Sequence, residues 1–393
     1  MNLDSKVVHA GDRKRTGGHV PVTTPIYTAS SFFYDRAEQL DRVFAMEEDG
    51  FAYARYANPT NAALEELITA LEGGAGTLAC ASGMAAIQIA LTAALMDRRK
   101  SVVAASALYG ATTSVLMKVL EPFGTEVTLV DICDLDAVRA AMGRANPGAV
   151  LIETISNPLV RVPDLDAIAA LTHDAGAALL VDNTFASPML VRPIEHGADF
   201  VVHSATKYLA GHGDVLAGLV TANAAHIELL RSLSRAYGPV LGPFEAYLTM
   251  RGVKTFALRM ARQCENALTV AEWLGAHPRV ARVHFPGDPA HPDAAVIRKL
   301  LPDGRYGAML SFELREGRRE DVFRFMDSLK MIVPATSLGD VHTMVLYPPM
   351  SSHRDLSPKQ RERIGITEDL VRLSMGIEAA ADIIADLDQA LAV

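Results

Sequence analysis

Seven short apolar runs punctuate the chain between residues 77 and 222: TLACAS (77–82), SVVAAS (101–106), EVTLVD (126–131), AVLIET (149–154), ALLVDN (178–183), FVVHSA (200–205) and LAGLVTA (216–222). Most are continuously apolar rather than apolar at every second position. That is the pattern of strands covered on both sheet faces. Helix-length segments separate most of them, such as Asp164–Gly176 with Asp at its start and Gly at its end. This alternation predicts a mainly parallel sheet with helices on both sides. Only a short connector joins the last two runs, so one antiparallel member is expected there.

The flanks read differently. Residues 1–55 lack the pattern, and PVTTPIYTASSFFYD, with two prolines among Ser and Thr, reads as an arm. Residues 56–242 form the expected large domain. Residues 243–393 form a smaller α+β unit, in keeping with two domains for a chain of 393 residues. There, PFEAYLTMRGVKTFALRMARQCENALTVAEWLGA predicts one long helix or a broken pair, and RVHFP, MLSFEL and MVLYP read as strands.

Half the residues are apolar and 21% are charged, an ordinary composition for a soluble globular chain. The net charge of −9 argues against nucleic acid or anionic membranes as partners. The basic triplets Arg13-Lys14-Arg15 and Arg98-Arg99-Lys100 read as solvated turns. Three widely spaced cysteines without a CxxC fit a reducing compartment. The start, MNLDSKVVHAGDRKR, has no apolar h-region, and no run is long enough to span a bilayer. A cytoplasmic protein is expected.

In open parallel sheets, ligands bind beyond the carboxyl ends of the strands. There the sequence places Ser82-Gly83-Met84, Tyr109-Gly110, Glu153 with Asn157, Asp182-Asn183, and Ser204, Thr206 and Lys207. Ser82-Gly83-Met84 joins a strand to a helix, and a helix start offers free amides to an anion. Ser204 and Thr206 add hydroxyls suited to phosphate, and Arg55 could add a guanidinium. Asp182 can cap the amides of Asn183 and Thr184, or face a protonated heterocyclic nitrogen. Lys207, desolvated at a strand end, can form a Schiff base with an aldehyde. A phosphate cradle, an acid for a pyridinium and an imine-forming lysine together meet the needs of pyridoxal phosphate. His203, His212 and Asp214 could instead be read as metal ligands, but no second cluster supports them, and no metal is expected.

These residues lie in VDNTFASP and VVHSATKYLAGHGDVLAG, which resemble the cofactor segment of the Cys/Met-metabolism (trans-sulfuration) pyridoxal-phosphate enzymes. The resemblance continues in family order through YARYANPT, ASGMAAI, ALYGATTS, ETISNP, RGVKT, TSLGD and VRLSMGIE, covering almost the whole chain from VVHAG. It implies an aspartate-aminotransferase-like fold (fold type I) with a smaller C-terminal α+β domain. By it, Lys207 would carry pyridoxal 5'-phosphate, Asp182 would pair with the pyridinium, and Tyr109 would stack on the ring and serve in catalysis. Ser82, Gly83, Met84, Ser204 and Thr206 would hold the phosphate. Tyr53 and Arg55 would reach the phosphate of a neighbouring subunit, implying active dimers paired into a homotetramer. Arg372 would bind the substrate α-carboxylate, with Asn157 and Ser337 nearby.

Within the family the chain departs from each subgroup. Cystathionine-handling members commonly have Glu where Thr336 stands, and several have Arg at the position of Ser114. Methionine γ-lyases typically have Cys at the position of Ala111. The expectation is a carbon–sulfur lyase working by γ-elimination or γ-replacement on a cystathionine- or methionine-like amino acid. Elimination is placed ahead of an O-acetyl- or O-succinylhomoserine sulfhydrylase or a cystathionine γ-synthase, with an aminotransferase further behind. His342, Tyr347 and His353 are candidates for the entrance.

Overall fold

The structure, a computed structural model, describes residues 1–15, 18–301, 304–351, 354 and 357–393. Helices α1 (Leu3–His9), α2 (Ala37–Phe44) and α3 (Pro59–Glu72) precede the first sheet. Strands and helices then alternate: β1 (Gly76–Cys80), α4 (Gly83–Leu95), β2 (Ser101–Ala105), α5 (Gly110–Val115), β3 (Glu126–Val130), α6 (Leu135–Ala145), β4 (Ala149–Glu153), α7 (Leu165–Asp174), β5 (Ala178–Asp182), α8 (Ser187–Leu190), β6 (Phe200–Ser204) and β7 (Gly218–Ala222). Their order in the sheet is β1-β7-β6-β5-β4-β2-β3. Strands β2 to β6 pair in parallel, whereas β7 runs antiparallel to both β1 and β6.

The apolar runs take these roles for a simple reason. Strands β1, β2, β4 and β7 are buried along their whole length, with helices covering both faces. The edge strand β3 carries the mixed run EVTLV and is only partly buried. Local signals set the helix ends. Asn58 caps α3 by accepting from the Thr60 and Asn61 amides, and Asp164 caps α7 by accepting from Ala167.

The expected long helix after residue 243 is a broken pair, α9 (Ile227–Tyr237) being followed by α10 (Pro243–Val253) and α11 (Phe256–Ala276). The break has a purpose in the packing. The guanidinium of Arg259, on the first turn after it, donates to the carbonyls of Gly252, Tyr208 and Leu209. It thereby holds the turn that follows Lys207. A second sheet, ordered β10-β11-β12-β9-β8, comprises β8 (Val280–His284), β9 (Met309–Leu314), β10 (Val333–Pro334), β11 (Met344–Leu346) and β12 (Leu370–Ser374). Its strand β12, unforeseen as a strand, contains Arg372 level with Ser311 of β9 and Leu346 of β11. The N-terminal stretch also contains helix where only an extended arm was expected, and Val7 of α1 is buried in the core.

β7 approaches the start of α4 closely. A β-carbon on Gly218 would lie 2.0 Å from the Ser82 carbonyl oxygen and 2.8 Å from the Gly83 nitrogen, both backbone atoms. Gly218→Ala should therefore cost about 1–3 kcal/mol of stability, as overpacking does. Thermal unfolding measures it; an unchanged midpoint would refute the close approach.

Candidate active site

The rim of the parallel sheet meets β12 at Lys207. This residue follows β6 in a turn closed by Lys207 N–H to the Ser204 carbonyl (3.1 Å) and Gly211 N–H to the Lys207 carbonyl (2.8 Å). Its Nζ donates to Ser337 Oγ at 2.9 Å. Burial, aided by the nearby Arg372 charge, lowers its pKa from 10.5 to about 8.

Arg372 is only 4% exposed. Its Nη1 donates to Asn157 Oδ1 (2.9 Å) and its Nη2 to the Ser337 carbonyl (3.1 Å), while Nε is buried without a partner among the described residues. All its partners are neutral oxygens. Desolvation pulls the guanidinium down to about 10, a measure of how poorly it is compensated. A buried cation with an idle donor is complete only when an anion arrives.

At the end of β5, Asp182 Oδ1 accepts from Thr184 N–H (3.0 Å) and Thr184 Oγ1 (2.5 Å). Thr184 Oγ1 in turn accepts from Ser204 N–H (2.9 Å), tying β5 to β6. The capping expected of Asp182 is thus real, on Thr184, yet no hydrogen bond from the described residues reaches Oδ2. Glu153, level with Asp182 on β4, accepts from Tyr109 N–H at 2.6 Å. Burial, and then the Asp182 charge, holds Glu153 well above the usual carboxylate range. Burial also raises Asp182, against the Thr184 bonds and the His203 charge. Two such carboxyl groups do not both ionise readily, and the stronger upward push falls on Glu153.

Opposite them, Ser82 Oγ caps α4 by accepting from Ala85 N–H (3.1 Å). The Gly83 and Met84 amides stand in the first turn, where no intrahelical acceptor exists. A β-carbon on Gly83 would lie 2.9 Å from Ser204 Cβ, so glycine is what lets this turn close on the Ser204 hydroxyl. Thr206 Oγ1 accepts from Ala217 N–H (3.0 Å), bracing the loop toward β7, and reaches the Ala217 carbonyl only at 3.4 Å. Its hydrogen is therefore weakly engaged.

Not every candidate lies here. Arg55 stacks on Tyr53 and Tyr56 and donates to the Arg235 carbonyl. Together with Tyr56 and Arg235 it lines a separate cavity of about 1330 Å³ whose walls include none of the rim residues described above. Tyr347 is fully buried, with its hydroxyl on Glu368 and its ring against Phe323, so it is a core residue and not part of an entrance. His342 is exposed beside Asp340, and His353 lies outside the described residues. His203 and His212 have unrelated partners, Glu72 and the Ala210 carbonyl. The three cysteines also stand apart: Cys80 and Cys264 are buried, and desolvation raises all three thiols, Cys133 to about 12 and Cys264 to about 11. Sequence reading expected the Asp182 bond to the Thr184 amide but missed the Thr184 hydroxyl, which passes the link on to Ser204. Nothing in the sequence signalled that Glu153 would take the Tyr109 amide.

Helix-start amides and hydroxyls for a phosphate, a buried carboxylate for a ring nitrogen and a desolvated amine for an aldehyde fit pyridoxal phosphate on one rim. That donor set on this sheet defines a pyridoxal-phosphate enzyme of the aminotransferase-like fold. The chain belongs to the Cys/Met metabolism PLP-dependent enzyme family, whose pattern it matches over residues 4–392. It is 44% identical over 392 residues to an L-methionine gamma-lyase from Fusobacterium nucleatum subsp. polymorphum, covering 99% of this chain and 98% of that protein. A cystathionine beta-lyase from Lactococcus lactis subsp. cremoris (strain MG1363) is 39% identical over 393 residues, covering 99% of each. The solved structure of a cystathionine gamma-lyase from Lactobacillus plantarum complexed with L-serine superposes with a TM-score of 0.92 at 35% identity, covering 100% of this chain and 99% of that one.

The depressed Lys207 value has a kinetic consequence. Only the neutral amine attacks an aldehyde, so cofactor uptake by the apoprotein should accelerate with pH and level off above about 8. Stopped-flow absorbance follows it. A rate still climbing toward 10.5 would show that the amine is not desolvated.

Proposed function

We propose that this carbon–sulfur lyase acts by γ-elimination on a methionine-like amino acid, with Lys207 as the cofactor-bearing base and Arg372 as the carboxylate anchor. The observation that carries the reading is the buried Arg372 guanidinium, bonded only to neutral oxygens and linked through Ser337 to Lys207. One uncompensated cation calls for one α-carboxylate. Thr336 is exposed and uncharged, so nothing at that position meets the second amino-acid end of cystathionine. The 44% likeness to a methionine gamma-lyase supports the same choice. Elimination from cystathionine is the second reading, favoured by the likeness to the Lactococcus enzyme.

Bound pyridoxal phosphate supplies an electron sink for the pair left when a substrate Cα proton departs. The chain supplies the rest. Arg372, its plane set by Asn157 and the Ser337 carbonyl, orients the substrate through its carboxylate. Lys207 Nζ, its pKa lowered to about 8 so that a fraction is neutral near pH 7, takes the proton from Cα, and after a second proton leaves Cβ the sulfur departs from Cγ with its bonding pair. Tyr109 donates a proton to the departing sulfur. Asp182, its Oδ1 occupied by Thr184, would pair with the ring nitrogen, and Ser82, Ser204, Thr206 and the Gly83 and Met84 amides would hold the phosphate. Tyr53 and Arg55 serve the phosphate of a second copy, in a homotetramer of active dimers. Tyr53 is 43% exposed, as that role needs. A cytoplasmic setting belongs to the same reading, supported by three free thiols. No helix among the described residues is long and apolar enough to cross a membrane.

Lys207→Ala should abolish the visible imine band and all turnover. Arg372→Lys should raise KM about tenfold to a hundredfold, since a point charge replaces a fork. The substrate assay offers methionine, cystathionine and O-acetylhomoserine with and without sulfide. Keto acid and ammonia from methionine without sulfide are expected. Strict dependence on sulfide would establish replacement instead, and amino transfer to an added keto acid would establish an aminotransferase.

A further inference from the structure

Asn157, which sets the plane of Arg372, is itself held by a residue that takes no part in the chemistry above. Ser311 of β9 is 0% exposed, and its Oγ donates to the Pro158 carbonyl at 2.7 Å, across 153 residues of chain. That bond passes from the second sheet to the rim of the first. Glu153 accepts from the Asn157 amide as it does from that of Tyr109. Asn157 is thus fixed at its amide, at its side chain and at the carbonyl of the residue that follows it.

The register explains why Ser311 can reach. It stands level with Arg372 on the neighbouring antiparallel strand β12. Residues directly opposite each other share a face and bring their β-carbons within about 5 Å, so the guanidinium and the hydroxyl leave the sheet side by side. Both end on one dipeptide, Arg372 on the Asn157 side chain and Ser311 on the Pro158 carbonyl. The links close into a ring, from Arg372 to Asn157, along the chain to Pro158, across to Ser311 and back through the strand pairing.

The loop beyond Pro158 is braced as well. Ser156 N–H donates to the Arg161 carbonyl (2.9 Å) and Ser156 Oγ accepts from Arg161 N–H (3.0 Å). Asp293, beyond β8, accepts from Arg161 Nε (2.6 Å), Arg161 Nη2 (2.8 Å) and Val162 N–H (3.0 Å). Between these grips Val160, fully buried, has a φ of 50°. A β-branched residue in the left-handed region is strained, and it persists only where its surroundings over-determine the backbone. We propose that Ser311 is a positioning residue for substrate recognition: by holding the Pro158 carbonyl it sets Asn157, and through Asn157 the plane in which Arg372 presents its donors to the substrate carboxylate. Without the hydroxyl a buried carbonyl loses its donor and the dipeptide is free to turn, which leaves Arg372 buried and charged but misaligned. The inference rests on the reading of Arg372 as the carboxylate anchor.

The experiment compares wild type, Ser311→Ala, Ser311→Thr and Arg372→Ala as purified holoenzymes. Titration of the visible cofactor band gives dissociation constants for norleucine, an amino acid without a leaving group, and for pentylamine, the same molecule without its carboxylate. Ser311→Ala should weaken norleucine about tenfold, the effect of one buried hydrogen bond, and leave pentylamine within about twofold of wild type. Ser311→Thr keeps the hydroxyl and should retain most of the preference for norleucine. Arg372→Ala should lose that preference altogether. Unchanged norleucine binding in Ser311→Ala, or equal weakening of both ligands, would overturn the positioning role and leave the reading of Arg372 standing. A threonine variant with the same selective loss as the alanine one, or an alanine variant that no longer folds, would equally overturn it, by making Ser311 a packing element alone. A wild type that does not prefer norleucine, or an Arg372→Ala that still does, would remove the anchor reading and the inference with it.

Discussion

The structure depends on a guanidinium kept out of water without a counter-ion among the described residues. Arg372 reaches from a central strand of the second sheet to Asn157 at the rim of the first, so that bond joins the two halves of the chain, while its bond to Ser337 stays within the second. Desolvating such a group is costly, and mutual bonds with neutral oxygens recover only part of the cost. The remainder makes the site receptive to an acid. Because Ser337 offers its carbonyl to Arg372 and its hydroxyl to Lys207, the anchor and the base share one residue. Displacing either would be felt by the other.

Around that link the fold distributes burial to set charge. Lys207 is brought toward neutrality by lack of water and by a neighbouring cation, the combination a base needs near pH 7. Asp182 and Glu153, level on adjacent strands, are both pushed up by burial, and the Asp182 charge opposes ionisation of Glu153. Each shift follows from position on a parallel sheet, where strand ends deliver several side chains to one edge while helices exclude solvent from the faces.

Much of this was legible in the residues alone. Runs such as AVLIE and ALLVD are apolar throughout because both faces of their strands are covered, so the parallel core and its rim could be read directly. The rim candidates Lys207, Asp182, Ser82 and Ser204 came from the same pattern, and their roles from the chemistry they share. Arg372 did not: LVRLS has too little alternation to distinguish a strand from a helix segment, and only resemblance pointed to the arginine. The break at Lys254-Thr255 was ambiguous because helix formers surround it, and the Arg259 bonds behind it span about fifty residues. Glu72 and His203 were beyond reach for the same reason. Hydrogen bonds between distant segments leave no local trace, and neither residue carries a periodic signal.

The cysteines have a chemical meaning in this setting. A catalyst that cleaves carbon–sulfur bonds works amid small thiols, which attack disulfides and capture oxidised sulfur through their thiolate forms. Every sulfhydryl of this chain is held protonated by desolvation, and two of the three are shut away from solvent. Held protonated, these thiols present little nucleophile to oxidised sulfur in such surroundings.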